Sequence, residues 1–172
     1  MDAVHAIVLA AGKGTRMKSR RPKVLHEICG SSLLAHVIQT LQRCDINAIS
    51  VVINPELREH MEALGLRTVV QEPQLGTGHA VQLALADVAH SSIPALIVSA
   101  DMPLVPEQLL RDVVKAQREG KAALALATAR VPLPSTFGRI IREGSTVARI
   151  VEQRDATPEQ LSIDEVNAGI YC

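Results

Sequence analysis

An aliphatic segment at residues 6–11 ends in a glycine-containing turn that begins at Gly12. A short run of aliphatic and small residues that stops at glycines is typical of a buried strand leading into a tight loop. Glycines also let backbone N–H groups approach a ligand closely, because no Cβ stands between them. The opening of the chain therefore predicts a buried first strand with a ligand-binding loop at its carboxyl end.

Three cationic side chains follow this strand within a short stretch, at Lys13, Arg16 and Lys23. Positive side chains beside free backbone N–H groups are suited to a polyphosphate, so the sequence predicts a nucleoside-triphosphate site. The loop does not match a Walker motif, because Lys13 lies between the two glycines instead of after the second. It does not match a dinucleotide-binding fingerprint either, because Met17 occupies the place of the third glycine.

Strand-like and helix-like patterns alternate along most of the chain. Runs rich in aliphatic and β-branched residues predict strands, and amphipathic segments between them predict helices. After residue 130 a predicted β-hairpin precedes one more strand. This order predicts an α/β fold of the Rossmann-like doubly wound type, with a mostly parallel sheet, a β-hairpin insertion and ligand binding at the carboxyl ends of the strands. The predicted strands are 4–9, 48–53, 67–71, 94–98, 121–128, 139–142, 147–152 and 166–171, and the predicted helices are 31–43, 55–64, 77–88 and 106–118.

Composition argues against several classes of partner. Aromatic residues make up 1% and hydrophobic residues 47% of the 172 residues, so we expect an aliphatic core and no stacking surface for nucleic-acid bases. The 18 basic and 18 acidic residues cancel, so no overall positive field favours nucleic acid or an anionic membrane. No apolar segment approaches the ~20 residues that cross a bilayer, and the three cysteines lack the spacing of a metal site. We expect a cytoplasmic protein without nucleic-acid or membrane partners.

Two blocks of sequence resemble the signature motifs of a known family. Residues 9–17 (LAAGKGTRM) with Pro22-Lys23 resemble the signature of the sugar-phosphate nucleotidyltransferases, and residues 71–80 (QEPQLGTGHA) resemble a uracil-binding loop. The resemblance is closest to the uridylyltransferase domain of the bifunctional N-acetylglucosamine-1-phosphate uridylyltransferases. It implies Mg²⁺-dependent uridylyl transfer from UTP to N-acetylglucosamine 1-phosphate, giving UDP-N-acetylglucosamine for peptidoglycan synthesis. Shorter blocks follow in the family's order at 101–104, 137–140, 151–153 and 167–170.

The resemblance also implies a role for each of a set of side chains. Arg16 and Lys23 are the implied catalytic residues, with Arg16 on the leaving pyrophosphate and Lys23 near the α-phosphate. Asp101 is the implied Mg²⁺ ligand, in agreement with the preference of this ion for one or two carboxylates plus phosphate oxygens and waters. The other implied substrate-binding residues are Leu9, Ala10, Ala11 and Gly12 in the first loop, Gln71, Gly76 and Thr77 at the pyrimidine with Gln74 beside them, Ser99 before the metal ligand, and Gly138, Glu152 and Asn167 at the sugar.

Simpler structural roles stay open for several of these residues. Asp101 is also suited to capping a turn, Thr77 to capping a helix, and Glu152 to the exposed face of a strand. At the level of activity, the alternatives are a nucleotidyltransferase for another sugar phosphate or for molybdopterin, and an inactive nucleotide-binding fragment.

The chain departs from the family pattern at three places. Ser99 and Ala100 occupy the positions of a Tyr-Gly pair, and Phe137 stands in place of a tyrosine and is expected to serve mainly in packing. The sequence also ends at Cys172, inside a predicted strand and before the Asn that the family uses as a second metal ligand. We therefore expect residues 1–172 to form one nucleotidyltransferase domain that is truncated at its C-terminus and lacks the family's β-helix acetyltransferase domain. Assembly into a homo-oligomer stays open.

Overall fold

The structure, a computed structural model, describes residues 3–14, 17–62, 64–88, 93–120 and 122–172. The strands in these ranges are β1 His5–Leu9, β2 Glu27–Ile28, β3 Ser31–Ser32, β4 Ala48–Ile53, β5 Arg67–Val70, β6 Ala95–Ser99, β7 Leu126–Arg130, β8 Arg139–Glu143, β9 Thr146–Val151 and β10 Glu165–Tyr171. The α-helices are α1 Leu33–Arg43, α2 Arg58–Glu62, α3 Thr77–Val88, α4 Glu107–Glu119 and α5 Pro158–Leu161. In these ranges we find no helix with both the length and the apolar character needed to span a bilayer.

One large sheet forms the centre of the fold. Its strands run in the order β5-β4-β1-β6-β10-β8-β9, and β7 also pairs with β10. The four strands from β5 to β6 are parallel, whereas β10 is antiparallel to β6, β7 and β8, and β8 and β9 form an antiparallel hairpin. Within the described ranges, all strands of this sheet except β9 and β10 therefore point the same way. The predicted α/β fold with a mostly parallel sheet and a β-hairpin is confirmed.

Helices pack on both faces of the sheet. Successive residues of a strand point to opposite faces, so each buried strand contributes side chains to both layers. Ala6 and Val8 of β1 pack in a large aliphatic cluster with residues of α1, α2 and α4. Ile7, between them, packs on the other face with Ala80 and Ala84 of α3. The parallel strands are thus buried on both sides, as expected for a doubly wound sheet.

Two predicted elements have different bounds in the structure. The strand predicted at 121–128 lies at Leu126–Arg130, because its pairing with β10 sets its ends. The helix predicted at 55–64 consists of a 3-10 turn, Pro55–Leu57, followed by the short helix α2. The β2–β3 hairpin and α5 were not predicted. These differences lie in short elements whose residues have weak local patterns.

An ion pair between β8 and β10 gives the fold a pH-dependent contribution to stability. Arg142 donates hydrogen bonds to both carboxylate oxygens of Glu165, at 2.9 and 2.7 Å. These bonds, together with one from Thr128, lower the pKa of Glu165 from the ordinary 4.5 to about 2. A carboxyl group with a lower pKa in the folded protein stabilises the fold above its unfolded pKa, and this contribution is lost as the pH falls through the folded pKa.

We therefore expect Glu165→Gln to lower the melting temperature by a few degrees at pH 7, because the ion pair is lost. The variant should also lose less stability than the wild-type chain as the pH falls from 4.5 towards 2. Thermal melts of both proteins across this range measure the effect. Glu119→Gln is the control, because Glu119 is two-thirds exposed and lies 3.9 Å from the ammonium group of Lys115. Parallel pH curves for Glu165→Gln and the wild-type chain would contradict the prediction.

Candidate active site

Two adjoining cavities lie at the carboxyl ends of the parallel strands. The smaller cavity has a volume of about 350 Å³ and the larger cavity about 810 Å³. The strands β1 and β6 end side by side, with Leu9 opposite Ser99, and both residues line both cavities. Gly12, Lys13 and Thr77 also lie on the shared wall. A ligand that occupies one cavity can therefore extend into the other.

The loop after β1 leaves several backbone N–H groups available. The N–H of Ala10 donates to the carbonyl of Val52 at 2.7 Å, so this amide is already used inside the sheet. Among the described residues, no hydrogen bond uses the N–H groups of residues 12–14. These three amides remain for an anion, as the predicted phosphate-binding loop requires. The predicted catalytic residue Arg16 and its neighbour Thr15 lie outside the described residues.

Gly14 brings this loop against Lys23. The φ of Gly14 is +59°, in the left-handed region, and a Cβ at this position would lie 2.8 Å from the Cβ of Lys23. Both facts require glycine, since a side chain would be strained and would collide with the lysine stem. Gly14 therefore lets the loop and Lys23 share one wall of the larger cavity.

Lys23 and Asp101 form an ion pair although 78 residues separate them. Their side chains are 34% and 35% exposed, and both line the larger cavity. Ser99 donates its hydroxyl hydrogen to Oδ1 of Asp101 at 2.6 Å, while Nζ of Lys23 contacts Oδ2. Burial alone would raise the pKa of Asp101, but the hydrogen bonds from Lys23 and Ser99 outweigh it and lower this pKa. The carboxylate is therefore ionised at neutral pH, and its negative charge is paired with the Lys23 ammonium group.

Gln71 has a fixed orientation in the smaller cavity. It is 3% exposed, and its Nε2 donates to the carbonyl of Gly76 at 2.8 Å and to Nδ1 of His79 at 3.3 Å. Its Oε1 accepts no hydrogen bond from any residue in the described ranges. Because the carbonyl of Gly76 requires a donor, the amide cannot flip without losing that bond. Oε1 is therefore the group of Gln71 that remains to recognise a ligand.

Gln74 connects the two loops that form the smaller cavity. Its Nε2 donates to the carbonyl of Ala11 at 2.8 Å, across 63 residues of sequence. Its Oε1 is buried without a hydrogen-bond partner. The sequence predicted Gln74 beside the pyrimidine. It did not predict the contacts of Gln74 with Ala11 and of His79 with Gln71, because no local pattern indicates which loops meet.

The predicted sugar-binding residues lie together, beyond the walls of the two cavities. The N–H of Asn167 donates to the carbonyl of Gly138 at 2.9 Å, and a Cβ on Gly138 would lie 3.2 Å from Oε1 of Glu152. The side chain of Asn167 is itself engaged, since Nδ2 donates to the Tyr171 hydroxyl at 2.6 Å and Oδ1 accepts from the N–H of Gly169 at 3.0 Å. The role of these three residues in sugar binding stays a prediction.

Phe137 and Thr136 line the larger cavity instead. Phe137 is 56% exposed, so the expectation that it serves mainly in packing is wrong. Arg139, which is 1% exposed, donates hydrogen bonds to the carbonyls of Phe137 and Ser135. These bonds hold the segment that places Phe137 on the cavity wall. The sequence did not predict this role of Arg139.

Asp101 has the chemistry of the Mg²⁺ ligand that the resemblance implied. Its carboxylate offers hard oxygen atoms on the wall of the larger cavity. Over the ranges that the structure describes, no three His, Cys, Asp or Glu side chains group together as a metal site. Mg²⁺ commonly takes one or two carboxylates, and substrate phosphates and waters complete its coordination. A carboxylate beside a phosphate-binding loop agrees with that pattern, and the metal assignment stays a prediction.

Comparison with known families agrees with this geometry. The family model described as the MobA-like NTP transferase domain matches residues 6–158. The chain belongs to this family. This match supports an enzyme of the nucleotidyltransferase class, and the resemblance drawn from its motifs is confirmed.

Curated relatives and solved structures are consistent with this family. Bifunctional protein GlmU of Desulfitobacterium hafniense is 44% identical over 97% of the chain, and that of Thermobifida fusca is 42% identical over 96%. The chain spans little more than a third of these relatives, 37% and 36% of their lengths. A UDP-glucose pyrophosphorylase complexed with UDP-glucose gives a TM-score of 0.76 at 20% identity, covering 99% of this chain and 75% of that one. A putative glucose-1-phosphate thymidylyltransferase from Bacillus anthracis gives 0.73 at 21%, covering 98% and 70%. These two structures show the shared fold.

Proposed function

We propose that the chain catalyses Mg²⁺-dependent transfer of a uridylyl group from UTP to N-acetylglucosamine 1-phosphate, with release of pyrophosphate. Family membership supports nucleotidyl transfer. The motif resemblance to N-acetylglucosamine-1-phosphate uridylyltransferases, together with the GlmU relatives, supports this donor and this acceptor. The product would be UDP-N-acetylglucosamine, a cell-wall precursor made in the cytoplasm.

The observation that carries the proposal is a fixed amide acceptor in one cavity beside a Lys–Asp pair in the next. Uracil presents an N–H donor at N3, which Oε1 of Gln71 is suited to accept, whereas cytosine presents an acceptor there. A uridine bound in this way would direct its triphosphate along residues 12–14 towards Lys23. The two cavities therefore match the two ends of UTP.

The proposed reaction is an in-line displacement. A phosphate oxygen of the sugar 1-phosphate forms a bond to the α-phosphorus of UTP. The bond from that phosphorus to the oxygen bridging to the β-phosphate breaks, and pyrophosphate leaves with the electron pair. The attacking oxygen is already anionic at neutral pH, so no strong general base is needed. The protein contributes alignment of the two substrates and neutralisation of charge.

Each group in the proposed site has a separate role. The amides of residues 12–14 bind the phosphates, and Lys23 neutralises charge near the α-phosphorus. Asp101 would hold Mg²⁺, which supplies positive charge to the phosphate oxygens when it is bound. Ser99 orients the Asp101 carboxylate. Arg16 is assigned to the leaving pyrophosphate on resemblance alone.

A nucleotidyltransferase with a different acceptor is the second candidate. Both polar groups of the Asn167 side chain are engaged within β10, and Glu152 lies off the walls of both cavities. The residues implied in binding N-acetylglucosamine are therefore the part of the site with the least support. Another sugar 1-phosphate or a molybdopterin is the acceptor in this case.

Pyrophosphate release tests these candidates. The chain is incubated with Mg²⁺ and each of the four nucleoside triphosphates, paired with N-acetylglucosamine 1-phosphate, glucose 1-phosphate or molybdopterin. Release confined to UTP with N-acetylglucosamine 1-phosphate supports the proposal, and release with another pair supports the second candidate. Binding of UTP without turnover would contradict both and would indicate a nucleotide-binding unit.

Gln71→Met should reduce the preference for UTP over CTP by about tenfold, because it removes the acceptor that the N3–H of uracil requires. Calorimetric titrations with both nucleotides in magnesium buffer measure this preference. Gln42→Met is the matched control, since Gln42 is an exposed residue of α1. An unchanged preference in Gln71→Met would show that Gln71 does not contact the base.

A further inference from the structure

Both oxygens of the Asp101 carboxylate are engaged. Ser99 donates its hydroxyl hydrogen to Oδ1 at 2.6 Å, and the Lys23 ammonium group pairs with Oδ2. Ser99 is the last residue of β6, so the end of a paired strand fixes its position. The hydrogen bond from Ser99 limits rotation of the carboxylate, because rotation would break it. Oδ2 therefore stays with Lys23 for as long as Ser99 holds Oδ1.

A divalent cation binds poorly to the Asp101 carboxylate while Lys23 is paired with it. An ammonium group in contact with a carboxylate neutralises its charge and repels a second cation at the same oxygen. Among the described residues that line the larger cavity, Asp101 is the one carboxylate. No group of three His, Cys, Asp or Glu side chains that could hold a metal ion occurs across the described ranges. Asp101 alone, paired with Lys23, is a weak ligand for a cation.

We propose that Lys23 occupies the cation position on Asp101 until a triphosphate draws it away, so that this chain takes up a divalent cation with the nucleotide and not before it. The inference rests on the proposed function, because it needs a triphosphate bound beside Lys23. Ser99 is a positioning residue in this scheme. It holds Oδ1, so that Lys23 and the cation compete for a single oxygen.

A triphosphate is able to displace Lys23 from Asp101 because it carries several negative charges against one. Lys13, on the wall shared by both cavities, has no ion-pair partner in the described part of the chain. Lys13 and the free amides of residues 12–14 bind the phosphates and bring them beside Lys23. Once Lys23 moves to a phosphate, Asp101 regains its full charge. The phosphate oxygens then supply the further ligands that the cation needs.

Binding of Mn²⁺ alone tests the proposal. Electron paramagnetic resonance titration measures Mn²⁺ uptake by the chain without nucleotide. We expect Lys23→Met, which keeps the apolar stem and removes the charge, to bind Mn²⁺ about tenfold more tightly than the wild-type chain. Lys23→Arg keeps the charge and should bind Mn²⁺ like the wild-type chain. Combining Lys23→Met with Asp101→Asn should abolish the gain. Equal affinity in Lys23→Met and the wild-type chain, or a gain that survives Asp101→Asn, would overturn the proposal.

A measurement on the wild-type chain decides the question if Lys23→Met does not fold. Mn²⁺ alone should leave the melting temperature unchanged, and Mn²⁺ with UTP should raise it above the value for UTP with a chelator. A rise with Mn²⁺ alone that Asp101→Asn removes would overturn the proposal. Calorimetry with UTP distinguishes the two failures. If no nucleotide binds, the proposed function fails and the inference fails with it; if UTP binds but Asp101 takes up Mn²⁺ equally well without UTP, only the inference fails.

Discussion

Asp101→Ala should reduce metal-dependent pyrophosphate release by at least about a hundredfold while the chain stays folded. The substitution removes the proposed metal ligand, and no other carboxylate occurs among the described residues that line the larger cavity. The expected effect on stability is small. The ion pair with Lys23 joins side chains that are 35% and 34% exposed, and such pairs contribute at most about 1 kcal/mol.

Activity is measured across a Mg²⁺ titration, and a thermal melt of the same protein reports its folding. Asp155→Ala is the matched control, because Asp155 is 63% exposed and its ion pair among the described residues is with its neighbour Arg154, at 3.3 Å. The control should release pyrophosphate at the wild-type rate. Activity of Asp101→Ala close to the wild-type rate at ordinary Mg²⁺ concentrations would remove Asp101 from the proposed metal site.

Local patterns predicted the parallel half of the sheet well, because those strands are buried on both faces. The segment Ala48–Ile53 is almost wholly aliphatic and β-branched, and it forms β4 with the predicted bounds. The strand predicted at 121–128 moved to Leu126–Arg130, since the chain far downstream decides which residues pair. The N–H of Ala125 donates to the carbonyl of Cys172, the residue after β10. No propensity within residues 121–125 carries that information.

In the candidate site, too, local motifs predicted which residues take part, but not which distant residues contact each other. Gly76 and Thr77 were placed at the start of a helix beside Gln71, and all three line the smaller cavity. The ion pair of Lys23 with Asp101 was not predicted, because it joins two loops 78 residues apart. The motifs were sufficient to name both residues. Only the three-dimensional structure shows that each one neutralises the other.

Gly14→Ala should weaken UTP binding by at least about tenfold, because the added methyl group displaces the stem of Lys23. The new Cβ would lie 2.8 Å from the Cβ of Lys23, and the backbone φ of +59° adds strain. That strain destabilises the fold by about 1 to 2 kcal/mol. The collision moves the ammonium group away from the place where both Asp101 and a phosphate can reach it. Calorimetric titration with UTP in magnesium buffer measures the loss.

Gly65→Ala separates the collision from the strain. The φ of Gly65 is +63°, close to that of Gly14, but no atom of the described residues lies within 4 Å of an added Cβ. Both variants should therefore melt at lower temperatures than the wild-type chain, and only Gly14→Ala should lose affinity for UTP. If Gly65→Ala binds UTP as weakly as Gly14→Ala, the loss comes from lower stability and not from the displaced lysine. If Gly14→Ala binds UTP like the wild-type chain, the position of Lys23 against the loop does not govern triphosphate binding.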